Sequence, residues 1–437
     1  MKYKSTAGQS PSADFSTALF QGLSPDGGLY VPESIPHLQQ DFIDHIEERS
    51  LHEIAVEILS PYIPEFSRSE LSEIVESALN FPIPLVPLEG NINLLELFHG
   101  PTLAFKDVGA RCMARFLSRV IEGHNKEITI LVATSGDTGS AVAHGFYKTP
   151  HISVFVLYPS GKISRLQEHQ MATLGDNIHA IEIEGTFDDC QRIVRKALTD
   201  PEVRAKREVT TANSMNIGRL LPQIAYYAWA YAQWKGSNNR NEKLAFIVPT
   251  GNLGNLTAAV YARHMGIPVS FFVAAMNAND MFKKYLQSGE VTPVPSIQTI
   301  SNAMDVGNPS NLARLTALYQ NDVKKIRKDI RAESFSDQET LQQIRSTHER
   351  TGYILDPHTA VGVAAAARQS SDGIGDTDYV VAATAHPAKF QDVIQDVQIQ
   401  VPKPLQEALS KKKLSIKCRN DYEDFRRLLF SGTSYTA

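Results

Sequence analysis

The 437-residue sequence predicts an α/β protein built on mostly parallel sheet, and three observations carry the prediction. Short apolar runs such as TILVA (129–133) and LAFIVP (244–249) alternate with stretches of helical spacing. The runs are apolar nearly throughout, as strands buried on both faces are. Turns rich in glycine and hydroxyl side chains follow several of them, where crossover units place their loops.

Taken in order, residues 1–85 read as a preface. SPDGGLYVPESIP (24–36) is turn-rich around one short apolar run, and 45–59 and 68–79 show helical spacing. The proline cluster FPIPLVPLEG (81–90) disfavours helix and marks a boundary. Beyond it, Val108, Cys112, Phe116 and Val120 form an apolar stripe, which predicts a helix beginning near Lys106. TILVA precedes TSGDTG and a helix from about Ser140; HISVFVLY (151–158) precedes PSGKIS and a helix ending near Gly175. NIHAIEI (177–183) alternates as a strand does, LAFIVP leads through TGNLGN into helix LTAAVYARHM, and PVSFFVAA (268–275) and YVVAAT (379–384) complete the strands. The charged stretch 321–350 reads as solvated outer helices, and the basic SKKKLSIK near the C-terminus as a solvated face.

Hydrophobic residues make up 42% of the chain and charged residues 21%, ordinary globular usage. The length suggests about two or three domains. A net charge of −5 and a pI of about 6.2 provide no broad basic field for nucleic acid or an anionic membrane, so an anionic ligand needs a local site. Three scattered cysteines, Cys112, Cys190 and Cys418, suit a reducing compartment rather than a disulfide framework. The N-terminal stretch lacks the apolar core of a signal peptide, and no apolar run approaches the ~20 residues of a membrane span. A cytoplasmic location is expected.

Ligands of open α/β sheets bind at the carboxyl ends of strands. Lys106, at a helix start, lies where positive backbone groups disfavour an ammonium, which favours the neutral amine of Schiff-base chemistry. In TSGDTG, Gly136 and Gly139 permit tight turns, and Thr134, Ser135 and Thr138 offer hydroxyls for a carboxylate or phosphate. Asp137 would repel such an anion unless hydrogen bonds hold it aside. TGNLGN offers close backbone approach at Gly251 and Gly254 and uncharged donors at Asn252 and Asn255, and matches neither a dinucleotide nor a P-loop pattern. Thr384 ends a strand, with His386 and Lys389 near the same rim; Lys162, Arg165 and Arg219 are candidate cations for a second anion. Each loop alone also reads as an ordinary polar turn. Their joint occurrence is what points to a site.

Together, ELFHGPTLAFKDVGAR, TSGDTG, YPSGKIS, SNAMDVGNP, LDPHTAVG and TAHPAKF resemble, in order and spacing, the pyridoxal-phosphate enzymes of the tryptophan-synthase-β type, and within them the threonine synthases. The resemblance runs to about residue 395, and QGLSPDGGLYVPESIP resembles that family's preface. It implies two open, mostly parallel sheet domains with flanking helices, plus an N-terminal α+β preface. The implied division is a preface at 1–88, a catalytic region at 89–400 with the site between two α/β subdomains, and a tail at 401–437. It implies pyridoxal 5'-phosphate held on Lys106, with its phosphate on the backbone of Gly251, Asn252, Leu253, Gly254 and Asn255. Thr384 would meet the pyridine nitrogen and Asp137 the ring hydroxyl. Thr134, Ser135 and Thr138 would surround the substrate's amino-acid end, with Lys162, Ser164, Asn213 and Arg219 toward the substrate phosphate. The implied reaction converts O-phospho-L-homoserine and water to L-threonine and phosphate, by a monomer or a homodimer. The enzymatic alternative is a serine/threonine dehydratase-like lyase, which needs no substrate-phosphate site. Two departures stand out: Asn255 replaces a carboxylate frequent in GNFGD, and Ala7 replaces the arginine of STRG.

Overall fold

The computed structural model describes residues 1–122, 127–237, 241–371, 376–394 and 397–431. Two sheets organise it. The first orders Ser415–Arg419, Ile178–Glu184, Ile152–Pro159, Ile128–Ala133 and Glu208–Thr211, with every neighbouring pair parallel. The second orders Ile330–Ser334, Phe271–Met276, Lys243–Pro249, Thr377–Ala383, Ile92–Glu96 and Leu85–Glu89, parallel except for the last pair. Ile128–Ala133, Phe271–Met276 and Thr377–Ala383 are buried at every position, because crossover helices cover both sheet faces. The preface pairs Tyr3–Ser5 antiparallel with Tyr30–Pro32 and adds helices including Phe15–Gln21, Leu51–Leu59 and Arg68–Ala78. The α/β class, the parallel sheets and the α+β preface are as expected.

The structure corrects several elements. The helical run at 45–59 is two pieces, a short 3-10 turn at Ile46–Glu48 and a helix at Leu51–Leu59. Ser50 restarts the helix: its side chain accepts from the Glu53 amide while Glu53 accepts from the Ser50 amide. The charged stretch 321–350 contains a strand, Ile330–Ser334, as well as helices Val323–Asp329 and Asp337–Thr351. That strand lies at a sheet edge, where an apolar run is not required, so charge concealed it. The basic C-terminal segment likewise supplies an edge strand, Ser415–Arg419, and residues 432–437 of the expected tail lie outside the described residues. The proline cluster includes strand Leu85–Glu89; Pro87 is tolerated because that strand too is an edge. The helix expected from about Ser140 begins at Asp137, directly after Gly136 at φ 134°, a backbone angle that glycine adopts freely.

Candidate active site

The loops after Ile128–Ala133, Lys243–Pro249 and Thr377–Ala383 meet the start of the Lys106–Val120 helix around one cavity. Lys106, Asp137, Thr384, Thr134, Ser135, Thr138 and the glycine loop line it, as do Asn213 and Arg219, although the Thr134 hydroxyl accepts from the Gly136 and Gly139 amides at 2.9 and 2.8 Å. Leu253 does not line it. Its side chain is fully buried, and its backbone, at φ 60°, turns the loop into helix Gly254–His264. Lys162 is exposed in an adjoining cleft, which shares Ser135 and Phe187 with the cavity. Ser164 is in that cleft too, with its hydroxyl capping helix Arg165–Ala172 through the Gln167 amide at 3.2 Å. Arg165 is exposed, and Ala7 is exposed in an N-terminal turn and does not line the cavity.

Lys106 is positioned through its neighbours. The Phe105 amide donates to the Thr384 carbonyl at 2.8 Å, the His386 amide donates to Leu103 at 3.1 Å, and Ala104 bridges Ala385. Backbone bonds thus tie the segment before Lys106 to the loop that follows strand Thr377–Ala383. Burial pushes the Lys106 amine down to about 8, with the positive charges of Arg219 and Lys389 acting in the same direction and Asp137 opposing them. The leading cause is burial rather than the helix terminus named from the sequence. Asp137 is held aside as it had to be. Its Oδ1 takes the Lys389 ammonium at 2.6 Å, both side chains buried, and the Gln167 amide at 3.0 Å. Burial of Asp137 is outweighed by Lys389 and Lys106, which hold the carboxyl below its ordinary range.

The glycine loop suits a phosphate monoester. A Cβ on Gly251 would come within 2.6 Å of the Met304 Cα, so the chain approaches closely there only as glycine. The amides of Gly254 and Asn255 head a helix whose first-turn N–H groups have no intrahelical acceptor. The side chains of both asparagines are spent on protein partners. Asn252 donates to the Ser214 hydroxyl and accepts from the Ser310 amide at 2.6 Å. Asn255 donates to the Pro249 carbonyl at 2.9 Å and accepts from Thr250 and from the Leu256 amide, so the backbone is left to face a ligand.

Arg219 is buried, with one nitrogen donating to the Ala212 carbonyl at 2.6 Å and its Nε, among the described residues, without a partner. Burial pushes its guanidinium down to about 10. A buried cation whose residue lines a cavity suits an anion. Gly109 makes room for it, since a Cβ there would meet the Arg219 carbonyl at 2.6 Å. Asn213 extends a strand instead: its side chain exchanges bonds with both the amide and the carbonyl of Ala133. Sequence reasoning missed Ser214, Ser310 and His358, which also line the cavity. His358 sits within LDPHTAVG; its Nδ1 faces Asp356 at 2.8 Å while its Nε2 accepts from the Ala303 amide at 3.1 Å. A donor set of one depressed amine, a tight amide cradle and a buried guanidinium fits an aldehyde cofactor bearing a phosphate, together with a second anion.

Comparison with known proteins agrees with that fit. Residues 78–384 match the family described as pyridoxal-phosphate dependent enzyme, and the chain belongs to it. Residues 2–79 match the threonine synthase N terminus and residues 359–429 the threonine synthase C-terminal family. Threonine synthase of Serratia marcescens is 41% identical over 410 residues, covering 93% of each chain. The crystal structure of threonine synthase from Escherichia coli superposes with a TM-score of 0.90 at 38% identity, covering 98% of this chain and 99% of that one. A pyridoxal-phosphate-bound threonine synthase from Brucella melitensis gives 0.89 at 35% identity over 97% of each. Within the pyridoxal-phosphate enzymes, the chain is a member of the threonine synthase family.

Proposed function

We infer that the protein converts O-phospho-L-homoserine and water to L-threonine and inorganic phosphate with pyridoxal 5'-phosphate as cofactor. The observation that carries this reading is the pairing, in one cavity, of the depressed Lys106 amine with the buried guanidinium of Arg219. A substrate carrying a phosphate as well as a carboxylate gives that second cationic group an anion of its own.

Lys106 is the residue to hold the cofactor, with the Gly251–Asn255 backbone around its phosphate, Thr384 at its ring nitrogen and Asp137 at its ring hydroxyl. Bound there, the cofactor supplies an electron sink that makes the carbons of an attached amino acid acidic. Lys106, once free, takes and returns protons at the α-carbon, a task suited to an amine that titrates near neutrality. Thr134, Ser135 and Thr138 grip the substrate's amino-acid end. Arg219 binds its phosphate, with Asn213 shaping that wall and Lys162 and Ser164 placed to assist from the adjoining cleft. The phosphate leaves the γ-carbon, which gains a proton to become the methyl group, while the β-carbon loses a proton and gains water's hydroxyl; water's remaining proton makes up the balance with the released phosphate.

The division into a preface at 1–88, a catalytic region at 89–400 and a tail at 401–437 belongs to the same reading. A monomer or a homodimer belongs to the same reading. Free, buried cysteines at 112, 190 and 418 suit the cytoplasm, and among the described residues no helix is long and apolar enough to cross a membrane.

The test is phosphate and threonine release from O-phospho-L-homoserine by the purified protein, with borohydride reduction and mass spectrometry to locate the pyridoxyl group. Lys106→Ala loses both. A pyridoxyl group on another residue, or normal turnover without Lys106, overturns the reading.

A further inference from the structure

Lys389 is buried beside the cavity, yet it does not line it. Its ammonium lies between the Asp137 carboxylate at 2.6 Å and the Thr102 carbonyl at 2.9 Å. Thr102 in turn gives its amide and hydroxyl to Asp107, at 2.9 and 2.7 Å, on the same helix as Lys106. Gln167 closes the other side of Asp137, and Gln170 also donates to the Thr102 carbonyl at 3.1 Å. Desolvating a lysine so enclosed is costly and is offset only by pairing. Packing alone would be met by an apolar side chain of the same length.

We propose that Lys389 is a positioning residue of the site: it anchors the Asp137 carboxylate, ionised, on the wall facing Lys106 and thereby sets the charge balance that Lys106 experiences. Lys389 touches neither substrate nor cofactor and acts through Asp137. The charged groups around Lys106 are one anion and two cations: Asp137 from helix Asp137–Phe146, Arg219 from helix Ile217–Leu220, and Lys389 from the 3-10 turn Pro387–Phe390. Asp107 and Arg111, on the Lys106 helix, lie behind them, and His358 faces Asp137 from helix Pro357–Ser371. Removing the cation leaves a bare carboxylate beside Lys106, which favours the ammonium. Removing the carboxylate leaves two cations, which favours the neutral amine. The two deletions act with opposite sign, an outcome that loss of packing alone does not produce.

The inference rests on Lys106 being the cofactor lysine, and its test does not depend on turnover. In the full chain freed of cofactor, the pH dependence of Lys106 modification by an amine-directed reagent is followed by peptide mass spectrometry. Lys389→Met raises the midpoint by about one pH unit or more, Asp137→Asn lowers it, and Lys389→Arg restores the native value. A Lys389→Met protein with native circular dichroism and an unchanged or lowered midpoint overturns the proposal. Should Lys389→Met not fold, Asp137→Asn decides: an unmoved or raised midpoint refutes it, and a lowered one supports it. If reduction locates the pyridoxyl group on another lysine, the cofactor assignment fails while these midpoints still report the electrostatic coupling.

Discussion

The amide of Phe105 donates to the carbonyl of Thr384 at 2.8 Å, so the residue before Lys106 is fastened to the end of the Thr377–Ala383 strand. Backbone atoms make this bond, and the Thr384 hydroxyl is left for the cavity. Thr384→Val therefore keeps the link and removes only the hydroxyl. Loss of a buried hydrogen bond worth about 1–3 kcal/mol should lower kcat by roughly 10- to 100-fold, with thermal unfolding little changed. Steady-state kinetics beside a melting curve checks both halves.

Arg219 is a buried cation lining the cavity, and the substrate phosphate is the anion proposed for it. Arg219→Met should raise KM for O-phospho-L-homoserine by about 30-fold or more, the cost of about 2 kcal/mol for a lost charge-assisted bond. Affinity for the cofactor, measured by equilibrium titration, should change far less. Equal weakening of both would place Arg219 at the cofactor instead.

Gly251 packs against the Met304 backbone, and an added Cβ would lie 2.6 Å from its Cα. Backbone cannot rotate away as a side chain can. Gly251→Ala should destabilise the protein by about 1–3 kcal/mol and weaken cofactor retention, because the cradle must open to relieve the contact. Dialysis followed by cofactor quantification reads the second effect.

Burial places the Lys106 amine near 8, below an ordinary lysine. The neutral amine is the nucleophile, so capture of pyridoxal phosphate by the cofactor-free chain should accelerate as pH rises from 6 and level off above about 8. A group with a lowered value loses its proton earlier on the way up, hence the sign. Stopped-flow absorbance across that range gives the profile; continued acceleration to pH 10 would indicate an unperturbed lysine.

The central strands were legible because burial on both faces demands apolar runs whatever their partners are. TILVA and LAFIVP show this, each extending by only a residue or so in the structure. The edge strands Ile330–Ser334 and Ser415–Arg419 were hidden because one side of an edge strand meets solvent and tolerates charge. The site loops were legible from their glycines and hydroxyls. The uses of individual side chains were not: Asn213 and Asn252 look like free donors in the sequence and are spent on Ala133, Ser214 and Ser310. Lys162 looks like a site cation and lies exposed in the adjoining cleft.

Local order along the chain was enough to determine the alternation of strand, loop and helix, the preface, and the lysine and glycine loops that mark the chemistry. Those features depend on neighbours in sequence, where periodicity and turn chemistry operate. Packing of the two sheets decided the rest: that Lys389 meets Asp137, that Arg219 is buried at the cavity, and that Lys106 loses solvent. Charge is governed by burial and by distances between residues remote in sequence, and only the folded chain sets either.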